Sequence, residues 1–200
     1  LLQAEDGIRC YDVTGVQTCA LPIYPDRGYI ETSNSNYTTP DYPYLDAIGY
    51  TWTDPYRWAR ASEVLASGRK FNMMDMVQLQ HDYLSIPART LMPFFKDLRA
   101  TDPQVETARQ MLMNWDFVLD KDSIEAGIYV AFERQLLDNM EALKVPEIAS
   151  SYLNLGMKTS IDMLLAPDGD FGDDPIAGRD DFLLATLSPG VSHLREKLDR

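Results

Sequence analysis

Cysteine is nearly missing from this chain. Its only two, Cys10 and Cys19, fall close to the amino terminus, and from Tyr24 onward there is none. No disulfide framework or cysteine-ligated metal can be built in that part, and the absence fits any redox compartment. Basic charge is also scarce, with 18 Lys and Arg against 31 Asp and Glu, a formal charge of −13. A nucleic-acid partner needs a basic stripe, so that class is excluded. No run approaches the roughly 18 consecutive apolar residues of a membrane span, which excludes a membrane partner of that kind. No internal repeat, G-x-S-x-G elbow, phosphate-binding loop or zinc-ligand spacing is present.

The stretch QAEDGIRCYDVTGVQTCALPI, Gln3 to Ile23, fits no folded element. Glu5, Asp6, Arg9 and Asp12 interrupt it, so it lacks the continuous apolar core of a signal peptide. It has no helical stripe and only a weak alternation from Val13 to Leu21. Back-translated, its two ends resemble the constant arms of a sequencing-library adapter, with Cys10, Tyr11 and Asp12 in the space of an index; Cys10 departs from the aspartate usual there. Residues 1–23 are therefore read as adapter-derived and disordered. Without them the formal charge falls from −13 to −11. Residues 24–200 are expected to be a partial domain whose gene was cut at the junction.

Residues 24–53 are rich in Tyr, Pro, Asn, Asp and Thr and read as extended segments and turns, with Gly28–Glu31 (GYIE) as a short strand. Residues 54–200 read as helical. Asp54-Pro55 is expected to cap and open a helix that stops at Gly68. Asn72 caps a second, through Leu84, with Met73, Met76, Val77 and Leu84 apolar. Pro87 and Pro93 break the next segment. Asp102-Pro103 opens a helix whose buried face carries Val105, Ala108, Met111, Leu112 and Trp115. Ser123 starts a long helix ended by Pro146, another covers about 148–165, and the last starts near Asp180 with a kink or restart at Ser188-Pro189. The fold class is thus mainly α with an irregular front.

One pattern rises above composition: GYIETSNSNYTTPDYPYLDAIGYTWTDPYRWARASEVL, Gly28 to Leu65. It resembles the large-subunit region of penicillin acylases, which are N-terminal nucleophile hydrolases. Gly28-Tyr29-Ile30, Asn34, Asp41-Tyr42-Pro43, Trp52 and Arg57 each match a part of the family's pattern, and later helices are similar in MDMVQLQHDYLSIPAR and NWDFVLDKDSIEAGIYVAFERQL. The resemblance implies an αββα hydrolase of which this chain is an internal fragment. It implies partners in the upstream part and small subunit of one precursor, a small-molecule amide substrate of β-lactam or acyl-homoserine-lactone type, and a periplasmic or secreted location.

Its chemistry is amide hydrolysis by a free amino-terminal nucleophile, activated by its own amino group. That nucleophile is not expected in this chain, so the chain alone is expected to be inactive. The resemblance makes Asn34 the oxyanion donor, a role suited to an amide that donates without titrating. Ser35 stands where the family commonly has a second Asn, so Asn36 is the alternative donor, and either residue also suits an ordinary turn. Arg57 is implied to order the site or hold a substrate carboxylate. Asp46 lies where some members place a calcium ligand; calcium takes about six to eight oxygens. Pro167–Asp174 (PDGDFGDD) lacks the order of a calcium loop, and adjacent His81 and Asp82 cannot form a dyad on a helix. The competing class is a non-enzymatic acidic helical interaction module.

Overall fold

A computed structural model describes residues 27–34, 43, 44 and 52–198, with side chains to 192. The calls on Asn36, Asp46 and residues 1–23 lie outside these residues. What is described is mainly helical, as the sequence predicts: α1 Tyr56–Leu65, α2 Met73–Gln80, α3 Ile86–Leu91, α4 Pro103–Met113, α5 Ile124–Lys144, α6 Met157–Leu165 and α7 Pro175–Leu198. Short 3-10 turns cover Met92–Phe95, Glu147–Ala149 and Gly169–Phe171. The β pairing among the described residues is a single isolated antiparallel bridge, Leu84 to Val118.

Most helix starts follow their cap residues. The Ser85 hydroxyl accepts from Ala88 N, Asp102 from Gln104 N and Val105 N, and Ser123 from Ala126 N. Asn72 and Asp75 form a reciprocal capping box at α2. Five expectations fail. The segment Gly28–Glu31 is irregular rather than a strand; among the described residues no neighbouring strand offers it a ladder, and side-chain bonds to α1 fix it instead. The second helix stops at Gln80, and the apolar positions Met73 and Val77 are 82% and 46% exposed.

The helix expected over about 148–165 begins only at Met157. Its N-cap is Gly156, which has no side chain to accept from the first turn; the carboxylate of Asp54 accepts from Met157 N at 3.0 Å and Lys158 N at 3.3 Å. Asp54 therefore does not cap α1, whose N-cap is Pro55 without a side-chain bond. Finally, α7 starts at Pro175, where Asp174 Oδ1 accepts from Ala177 N, and it runs unbroken through Pro189.

The core lies where α5 and α7 pack together, closed by α3, α4 and the turn after α3. Leu91, Met92, Phe95, Leu112, Phe132, Leu136, Leu183 and Leu187 are fully buried there. Phe95 meets Phe132 edge-to-face at 5.3 Å, a favoured geometry for aromatic pairs. The two long helices approach closely at Gly190, where a Cβ would stand 3.2 Å from the backbone of Ala131 and Phe132. At their interface the Asn139 side-chain amide donates to the hydroxyl of buried Thr186, so the polar groups inside this seam are paired.

Candidate active site

The irregular segment from Arg27 to Asn34 lies along α1, and three side chains tie it down. Thr53 Oγ1 donates to the carbonyl of Asn34 at 2.9 Å. Arg57, in the first turn of α1, donates through Nη2 to Asn34 Oδ1 at 2.9 Å and to the Ser33 carbonyl at 3.4 Å. Ser62, further along α1, donates to Glu31 Oε1 at 2.7 Å. Asn34 itself has φ 58, the left-handed region that asparagine tolerates better than most residues.

The Asn34–Arg57 contact fixes which way the amide points. A guanidinium can only donate, so the asparagine must turn its carbonyl oxygen toward it. Its NH2 group then faces away from the cation, and Asn34 is an exposed residue. The arrangement is a neutral donor held by a cation, with both hydrogens of the amide directed away from the holder.

Beside it lies a cleft of about 500 Å³ whose lining includes Glu31, Tyr56, Arg57, Arg60, Asp82 and Ser85. Its far wall is an ion-pair chain. Arg60 donates through Nε and Nη2 to Asp82 Oδ2 at 3.0 and 2.7 Å, and through Nη1 to Glu63. Glu63 in turn takes a forked pair from Arg89 at 3.1 and 2.7 Å. Hydrogen bonds from Arg89 hold the Glu63 carboxyl below its ordinary range. Partial burial pushes Asp82 up, but the Arg60 contact and the Leu84 amide outweigh it, so Asp82 is also lowered. Such a chain ties α1, α3 and the loop after α2 together.

Behind this wall sits a second polar group. Tyr129, fully buried, donates to Glu133 at 2.9 Å. Burial raises the phenols of Tyr56 and Tyr129, helped by nearby acids, and burial also raises the Glu133 carboxyl.

Of the residues the sequence singles out, Asn34 and Arg57 are brought into direct contact. Asp82 pairs with Arg60, so its neighbour His81 has no dyad there. In the Pro167–Asp174 loop the ammonium of Lys144 sits between Asp168 and Asp170 at 2.6 and 2.7 Å, with only 7% of its side chain exposed. Among the described residues no group of three or more His, Cys, Asp or Glu could hold a metal ion. Sequence reasoning missed Thr53, Glu31 and Ser62; a glutamate inside an otherwise uncharged GYI stretch was the only signal.

What the described residues define is a helical protein that presents an arginine-held side-chain amide at the edge of a cleft with both polar and apolar walls. The sequence model of the penicillin amidase family matches residues 11–200, and the chain belongs to that family. Among curated proteins none matches it. No helix among the described residues is long and apolar enough to cross a membrane.

Proposed function

We propose that this chain is part of an amidohydrolase that cleaves linear amide bonds of acylated small molecules, with Asn34 as the oxyanion donor. The observation that carries this reading is the Arg57 contact to Asn34 Oδ1. An oxyanion donor must be aimed before charge develops, because reorienting it during the reaction would consume the benefit. Arg57 does that work by occupying the only acceptor on the amide, and its charge adds to the positive potential around the site. Within this reading the nucleophile is the amino-terminal residue of a processed subunit, outside the chain, and the fold is that of an N-terminal nucleophile hydrolase in an exported enzyme. Exposed Met73, Met74 and Val77 on α2 support burial against the rest of that enzyme, since a helix face of this kind is costly to leave in water.

The test is turnover of a chromogenic acyl-anilide by the processed precursor that contains this sequence. Asn34→Ala should lower kcat by about 100- to 1000-fold with little change in KM, the loss expected for one oxyanion donor. Undiminished kcat in that variant would overturn the reading. The isolated 200-residue chain should show no turnover at all.

A further inference from the structure

Beyond the bonds of Thr53 and Arg57 to Asn34, an attachment three residues upstream bears on which residue meets Arg57. Glu31 is 6% exposed, in a segment whose neighbours Ile30 and Thr32 are exposed. Its Oε1 accepts from Ser62 Oγ at 2.7 Å and from Arg27 Nη1 at 3.3 Å. Ser62 and Arg57 lie on the same helix, so the segment runs along α1 in the opposite direction, with Glu31 at Ser62 and Asn34 at Arg57.

The lengths match. Three residues of extended chain reach about 10 Å. Five residues of helix rise about 7.5 Å, and an arginine side chain covers the difference. A slip of one residue would move the segment by about 3.3 Å, more than two helical residues' worth. A slip of two would carry Ser33 to Ser62 and bring Asn36 to Arg57 in place of Asn34.

We infer that Glu31 and Ser62 form a register clamp that places Asn34, rather than Asn36, over Arg57. Both are positioning residues; neither needs to touch substrate. The inference rests on Asn34 being the donor for its functional meaning, but its test reads placement and not turnover, so the two can fail separately.

The experiment uses the full chain labelled with 15N-asparagine, the Asn34 side-chain pair being assigned by its loss in Asn34→Asp. The order parameter of that NH2 group, which the Arg57 bond to Oδ1 holds still, is then measured by 15N relaxation in Glu31→Ala, Ser62→Ala and Glu31→Gln. Loss of a hydrogen bond to a charged group should loosen the segment and lower the order parameter from about 0.85 to below about 0.6 in the first two. Glu31→Gln keeps an acceptor for the Ser62 hydroxyl and should stay near the parent. Far-UV circular dichroism checks the fold. Should Glu31→Ala unfold, Ser62→Ala removes only a hydroxyl and carries the test. An unchanged Asn34 order parameter in Ser62→Ala, or a Glu31→Gln chain as loose as Glu31→Ala, would overturn the clamp.

Discussion

Replacing Asp54 should unfasten a helix that begins more than a hundred residues later. α6 is nine residues long, too short to be stable from propensity alone, and the carboxylate of Asp54 accepts from its first two amides. Losing a cap costs about 1 kcal/mol, up to about 2. Removing a negative charge from a helix N-terminus adds about 0.3–1 kcal/mol. Asp54→Ala should therefore cost about 2 kcal/mol, or about 4–8 °C in Tm for a chain of this size.

The sharper assay adds a second site. A Cβ on Gly156 would stand 3.2 Å from Asp54 Oδ1, so Gly156→Ser in the parent chain crowds the existing cap and should be neutral or destabilising. Once Asp54→Ala has removed that oxygen, the same serine has room. Gly156 already has φ −71 and ψ 160, the extended geometry of an N-cap, so the hydroxyl can cap α6 locally and restore about 1 kcal/mol. The effect of Gly156→Ser should thus change sign with the residue at 54, with a coupling near 1 kcal/mol or more by urea midpoint at constant m-value. Contacts of this kind couple, whereas independent sites add to within about 0.5 kcal/mol. Additive effects, or an Asp54→Ala chain as stable as its parent, would refute the remote cap.

Two other outcomes follow from the same structure. Burial raises the Glu133 carboxyl above its ordinary 4.5, so the folded state holds that proton more tightly than the unfolded one; this contribution is full below about pH 4.5 and is lost as pH rises through the folded value. Glu133→Gln still accepts from Tyr129 and should flatten the fall in stability between pH 4.5 and 7, measured by urea unfolding across that range; an unchanged slope would count against the burial argument. At Gly178 any Cβ would overlap the carbonyl oxygen of Phe171, a backbone atom that cannot swing aside. Gly178→Ala should lower Tm and displace the 3-10 turn that carries Asp168 and Asp170, freeing Lys144; a Tm equal to the parent's would show that the turn yields easily.

Local signals were legible where a residue acts on its own neighbours. Asn72, Asp102 and Ser123 cap the helices that follow them because a short polar side chain reaches amides two or three positions ahead. The buried stripe Val105, Ala108 and Leu112 on α4 follows from helical period alone. Asn34 and Arg57, which match parts of one family pattern, meet in a hydrogen bond of 2.9 Å.

What the sequence could not say is where a polar group looks when its partner is remote. Asp54-Pro55 reads as a local cap, yet the carboxylate turns to α6, because Gly156 leaves four amides there without any acceptor of their own. GYIE reads as a strand, but a strand exists only with a neighbour, and here the neighbour is a helix that bonds to Glu31 through Ser62. Pro189 reads as a break, but packing of α7 on α5 around Gly190 outweighs one missing backbone bond. Sequence alone determined the helical character and most of the caps, since those depend on contacts a few positions apart, while the pair Asn34 and Arg57 came from the resemblance of the pattern around them. The tertiary structure decided the register of the segment bearing Asn34, the origin of α6 and the direction of the Asn34 amide, since each depends on a hydrogen bond between groups that only the folded chain brings together.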